Sequence, residues 1–161
     1  MSNHDHISRV AFKKAIPRHV RGHGALHAAT VSAAQDAKVE PELLELVRIR
    51  ASQINGCAFC LDMRTEDARA QGGTEQRIYA LSAWRETSFF TERERAALAL
   101  AEAVTLVHDR QVPDSVYAEA AGVFDDAQIA ALLSVATVIN AYNRIAIATR
   151  MVPGGYRPTQ K

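Results

Sequence analysis

Glu45-Leu-Val-Arg-Ile-Arg-Ala-Ser-Gln-Ile-Asn-Gly-Cys57-Ala-Phe-Cys60-Leu-Asp-Met-Arg64 is the stretch on which the reading of this chain turns. It carries both cysteines of the protein, as a Cys-x-x-Cys pair. An apolar helical pattern precedes it. Glu40-Pro41-Glu42 reads as the helix start, because proline suits the first helical position and acidic residues favour the positive end of the dipole. Leu43, Leu44, Leu46, Val47, Ile49 and Ile54 continue the pattern to about Gln53. Asn55-Gly56 ends it, since both residues tolerate a left-handed backbone. A new helix is expected from near Cys57 to about Gln71, closed by Gly72-Gly73.

That placement has a chemical consequence. At a helix start Cys57 and Cys60 are i,i+3 neighbours on one face, with α-carbons roughly 5 Å apart, inside the range a disulfide spans. The pair can therefore cycle between dithiol and disulfide. The partial positive charge of the helix start, and Arg64 at i+4 from Cys60, are expected to lower the thiol pKa values. Glu45 lies one helix upstream. Only a helix–break–helix turn at Asn55-Gly56 could return its carboxylate to the thiols, where it could take a proton. Other readings are that the cysteines are small packed hydrophobes and that Glu45 is solvated. A zinc site is disfavoured, because it wants four ligands and no second Cys-x-x-Cys or His-x-x-x-His is present.

Outward from this stretch the periodicity stays helical. Residues 1–20 are polar and irregular, with His4, His6 and His19 among basic residues, and are expected to form a flexible arm packed on the body or on a neighbouring subunit. A helix follows from about Arg21 to Asp36, with Leu26 and Val31 on an alanine-lined face and His23 and His27 at i,i+4. Thr74 caps a helix to about Glu86 containing Ile78, Leu81 and Trp84. Thr91-Glu-Arg-Glu94 is a capping box opening a helix to about His108. A short helix follows Pro113-Asp114. Asp125-Asp-Ala-Gln128 repeats the box and opens the longest apolar pattern, in which Asn140 and Asn143 are polar interruptions. They read as partners of buried polar groups or as donors lining a pocket. Trp84 and Phe89-Phe90 read as core or subunit-interface anchors. No strand pattern stands out. The expectation is an all-α bundle of about six or seven helices: one domain over 21–152, an arm before it and a polar tail over 153–161.

Composition narrows the function classes. With 161 residues the chain should bury about two-thirds of its unfolded surface and needs no covalent staples. A net charge of +1 gives no broad field for nucleic acid or an anionic membrane. The N-terminus has no apolar signal region and no run of about 18 apolar residues occurs, so a cytoplasmic, reducing location is expected. There a lone Cys-x-x-Cys is more often catalytic or metal-binding than a permanent disulfide. No cofactor or metal is expected.

The segment from Glu45 to Met63, with Trp84-Arg-Glu, Phe90-Thr-Glu-Arg-Glu-Arg-Ala and Ile139-Asn140-Ala-Tyr-Asn143-Arg, resembles the alkylhydroperoxidase D-like branch of the carboxymuconolactone decarboxylase family, over about residues 26–150. The resemblance implies an all-α fold, homotrimers or homohexamers, and thiol-dependent peroxidase or disulfide-reductase activity in antioxidant defence. A small hydroperoxide would be the substrate and an external dithiol the reductant. Position by position, Glu45 matches the proton-relay glutamate, Cys60 the peroxide-attacking cysteine and Cys57 the resolving one.

The chain departs from the pattern at Arg64, where the family commonly has histidine, and at Phe59, sometimes histidine. Arginine holds its proton and cannot relay one. His23, His27 and His108 are the candidate substitutes. Two other functions compete. One is a non-redox decarboxylase acting on a carboxylated lactone, which the cysteine pair disfavours. The other is a non-catalytic oligomeric stress-response module.

Overall fold

The computed structural model describes residues 8–158, and every described element is helical. His4 and His6, two apart and only a weak metal signal without further ligands, lie outside the described residues. The elements are α1 (Phe12–Ala15), α2 (Pro17–Asp36), α3 (Pro41–Asn55), α4 (Ala58–Ala70), α5 (Glu75–Ala80), a 3₁₀ segment (Leu81–Glu86), α6 (Glu92–Thr105), α7 (Val107–Arg110), α8 (Asp114–Ala121) and α9 (Asp126–Thr149).

The caps that the sequence announces are formed. Thr91 and Asp125 each accept from the backbone N–H three residues on, and Glu94 and Gln128 reciprocate. Thr74 caps α5 through the Arg77 N–H. Pro41 opens α3, and Gly56 closes it with φ +68°, a left-handed geometry costly for a residue with a Cβ.

Three boundaries differ from the sequence reading. First, α2 begins at Pro17, not Arg21, because proline again takes a first helical position, and α1 precedes it. The expected flexible arm is therefore helical from Phe12, and Leu26 is half-exposed rather than core. Second, the helix expected from Thr74 to Glu86 tightens to 3₁₀ at Leu81, with a kink at Ala83. In a 3₁₀ turn residues i and i+3 eclipse, which points Leu81 and Trp84 into the core together. Third, α6 stops at Thr105, and α7 is a separate turn. These short pieces are the excess over the six or seven expected helices.

Helix α3 sits at the centre, packed on α4, α6 and α9, and α2 lies along α9. Leu43, Leu44 and Val47 of α3 join Ala97 and Leu100 of α6 and Leu132 and Val135 of α9 in the largest apolar cluster. Leu46 and Ile49, on another side of α3, meet Leu81, Trp84 and Phe90 in a second. The third is small and holds both cysteines, with Ala51, Ile139 and Ala146. Helix α9 is long and apolar enough to cross a membrane by length and composition, but 56% of its apolar window is buried inside the bundle. The bundle thus accounts for its hydropathy as that of a core helix.

Candidate active site

The break at Asn55-Gly56 turns the chain so that α4 starts against α3 and α9. Cys57 is the N-cap of α4. Its Sγ accepts from the Cys60 backbone N–H at 3.4 Å, the place a serine or aspartate oxygen normally takes. Both cysteines are free and buried, with exposures of 1% and 3%. Cys60 lines a cavity of about 680 Å³ and Cys57 does not, so the two thiols stand one behind the other as seen from that cavity.

Burial decides the state of the outer thiol. It pushes Cys60 up to about 12; the hydrogen-bonded Cys57 thiol adds to the rise, while Asn143 and Arg64 oppose it without prevailing. This corrects the expectation of an acidic Cys60. The helix start and Arg64 do favour the Cys60 thiolate, but desolvation is the larger effect. At rest Cys60 is a protonated thiol, and its use as a nucleophile calls for a base.

Glu45 is 3% exposed and lies among arginines. Its Oε1 accepts from Arg48 Nη1 and lies 3.8 Å from Arg64 Nη1. Its Oε2 is buried with no hydrogen-bond partner among the described residues. The structure therefore joins Glu45 to the thiols by way of Arg64, which also acts on Cys60, rather than by a direct hydrogen bond. Arg64 is shared further: Nη1 donates to Asp67 Oδ2 at 3.1 Å, and Asp67 Oδ1 accepts from Tyr156 Oη at 2.6 Å. That bond, before burial, raises Tyr156 to about 12. The C-terminal tail, expected to be merely polar, is thus tied to the site.

Of the candidate histidines, His23 and His27 line the same cavity as Cys60, whereas His108 is exposed on α7. Burial, then Arg48, Arg64 and His23, hold His27 below the ordinary imidazole range, so it is neutral and able to accept a proton at pH 7. Tyr142 stands between these histidines, its ring centroid 4.5 Å from that of His23 and 5.9 Å from that of His27.

Asn140 and Asn143 do not line the cavity. Asn143 donates to Ser52 Oγ at 3.0 Å, and Asn55 Nδ2 donates to both Asn143 Oδ1 and Asn140 Oδ1, at 2.8 and 2.9 Å. They form a buried polar network under the thiols, and Asn143 also favours the ionised form of Cys60. Arg48, Ser52, Asp67 and Tyr156 went unrecognised in the sequence. Ser52 and Asp67 stand i+7 from Glu45 and Cys60 respectively, a helical-face signal that could have drawn notice. Among the described residues, no three of His, Cys, Asp or Glu converge to hold a metal ion.

The profile of the carboxymuconolactone decarboxylase family matches residues 20–103, just over half of the chain and inclusive of Glu45, Cys57, Cys60 and Arg64. The chain belongs to that family. Among its relatives, the uncharacterized protein YdfG of Bacillus subtilis strain 168 is 50% identical over 104 residues, 65% of this chain and 71% of that one. In fold, a protein of unknown function from Agrobacterium tumefaciens, whose name suggests an antioxidant defence protein of the AhpD kind, superposes with a TM-score of 0.85. It is 34% identical and covers 93% of this chain and 100% of its own. The debrominase Bmp8 shares the fold alone, with a TM-score of 0.73 and 17% identity over 88% of this chain and 74% of that one. This family member is all-α and AhpD-like in architecture, and its Cys-x-x-Cys lies at the start of α4.

Proposed function

We propose that the protein is a thiol-dependent peroxidase, in which Cys60 attacks a hydroperoxide and Cys57 resolves the product. The observation that carries this reading is the ordering of the sulfurs: Cys60 borders the cavity and Cys57 sits behind it, one helical turn away. The Cys60 sulfur takes the terminal oxygen of R–OOH and becomes a sulfenic acid, and R–OH leaves with the thiol proton. Cys57 then displaces water from the sulfenic acid to form the disulfide. An external dithiol restores both thiols and is itself oxidised to a disulfide.

The protonated resting state of Cys60 makes proton removal the demanding part. Glu45 is the base that family correspondence supplies, and its unpartnered Oε2 leaves it an open acceptor position. Neutral His27, on the wall of the cavity, is the group able to take over the relay from the position that Arg64 occupies. Assembly as a homotrimer or homohexamer in the cytoplasm belongs to the same reading. Sedimentation velocity measures the subunit count.

The test is peroxide consumption with dithiothreitol as reductant. Cys60→Ser is expected to abolish it. Cys57→Ser keeps a helix cap and, with the reductant removed, is expected to consume one equivalent and then stall as a dimedone-reactive sulfenic acid. Equal slow consumption by wild type and Cys60→Ser would remove the proposal. It would favour the second reading, an oligomeric module without turnover, which the protonated, buried state of Cys60 supports.

A further inference from the structure

The cavity above Cys60 is far larger than the smallest peroxide requires. Hydrogen peroxide is close to water in size, and a water molecule claims about 30 Å³ of liquid. About 680 Å³ lies instead in the range of sites that enclose drug-sized ligands, roughly 300–1,000 Å³. Most of the wall is apolar, with Phe12, Phe59, Met63, Ile139, Tyr142 and Ile145 among its residues. One side comes from the N-terminal segment through α1, so the chain before α2 helps to build the cavity.

Its charge is one-sided. Lys13, Lys14 and Arg64 line it, accompanied by His23 and His27, and among the described residues no aspartate or glutamate does. A second, independent feature points the same way. Arg64 Nε is a buried donor with no hydrogen-bond partner among the described residues, while Nη1 of the same guanidinium is held by Asp67. A buried donor left unpaired costs free energy that an incoming acceptor recovers. Charge-assisted bonds from lysine and arginine to a carboxylate are the stronger kind.

We propose that the cavity binds amphipathic carboxylates, and that the substrate at Cys60 is a hydroperoxide carried on an apolar acyl chain that ends in a carboxylate. Lys13 and Lys14 take the carboxylate, the apolar walls take the chain, and the hydroperoxide reaches the sulfur, where Arg64 Nε can donate to one of its oxygens. The step at Cys60 is the one given above, with a hydroxylated carboxylate as the R–OH that leaves. This assignment of substrate class rests on the peroxidase reading; the binding half of it does not.

Two measurements separate these halves. Calorimetry on the reduced protein with octanoate and with octanol, below any micelle concentration, reads binding without chemistry. Octanoate is expected to bind at least tenfold more tightly, an advantage that shrinks as salt is added. Lys13→Ala/Lys14→Ala, at two exposed positions, is expected to lose most of it. Equal affinities for acid and alcohol would overturn the proposal.

The second measurement compares kcat/KM for a fatty-acid hydroperoxide with that for its methyl ester, which differs only in the charge. The acid is expected to be favoured about tenfold or more. Turnover of both at one rate would overturn the substrate assignment and leave the peroxidase reading standing. Tight octanoate binding with no turnover of either would overturn the peroxidase reading and leave the carboxylate site.

Discussion

Two glutamates of this bundle face arginines, Glu45 buried and Glu102 half-buried, and they are treated differently. Glu102 of α6 has both oxygens occupied: Oε1 accepts from Trp84 Nε1 at 2.8 Å and Arg50 Nε at 2.7 Å, and Oε2 from Arg85. Burial pushes its carboxyl up, but the bonds from Trp84, Arg85 and Arg50 together outweigh it and hold the pKa below the usual range. Glu45 of α3 has Arg48 on one oxygen and, among the described residues, no hydrogen-bond partner on the other. A fully satisfied carboxylate locks a fold. One with an idle buried oxygen carries a cost that folding alone does not explain, and such a cost is characteristic of a site.

Replacement by glutamine exposes that contrast most sharply, because it puts one N–H₂ group where there was an oxygen. At Glu45 the amide oxygen can keep Arg48 and turn its N–H₂ toward the vacant side, but buried Arg48 loses its counter-ion, so the fold is expected to lose about 1–3 kcal/mol. Peroxide turnover should nonetheless drop roughly 10²–10⁴-fold, the usual worth of a positioned base. At Glu102 the amide must face an arginine or the indole whichever way it turns. Glu102→Gln is expected to cost about 2–4 kcal/mol, a fall in Tm of roughly 4–16 °C, with turnover per folded molecule little changed. Thermal melting and steady-state rates on both variants check this. A Glu45→Gln protein that melts early and turns over normally would reverse the roles given to the two glutamates.

Alkaline pH probes the Cys60 side of the comparison. The unfolded chain releases the thiol proton above about pH 8.5, whereas the folded chain keeps it until about 12. Across that window the unfolded state binds fewer protons, so stability falls as pH rises. Below the window the thiol is protonated in both states and contributes no pH dependence. Wild type is therefore expected to lose Tm more steeply than Cys60→Ala between about pH 8.5 and 10, and parallel slopes would contradict the raised pKa. The smallest expected effect is at Arg64. Arg64→His supplies a proton carrier beside Glu45 and should raise turnover several-fold at neutral pH. A lower rate would make the guanidinium a working part of the site.

Much of the framework was legible in the sequence because it is local. The Thr91 and Asp125 boxes, the Pro41 start and the Gly56 stop each act over three or four residues, and α4 starting at the cysteines follows from them. What stayed hidden was long-range or energetic. Nothing near Asp67 announces Tyr156, 89 residues away along the chain. The thiol pKa was misjudged because charge and helix position can be read from sequence, whereas the depth of burial under Ile139 and Ala146 cannot. Position 64 was readable as the departure from the family pattern. That its guanidinium is divided between Glu45 and Asp67 was not.

The sulfur that caps α4 carries one more consequence. Cys57 Sγ accepts from the Cys60 N–H in the resting protein, so in the proposed cycle the second thiol would need no search to find the first. Disulfide formation would then proceed at the high effective molarity of a preoriented pair, on the order of 10⁵ M or above in favourable intramolecular cases. Its rate would be set by the start of one helix rather than by how much thiol the surroundings contain.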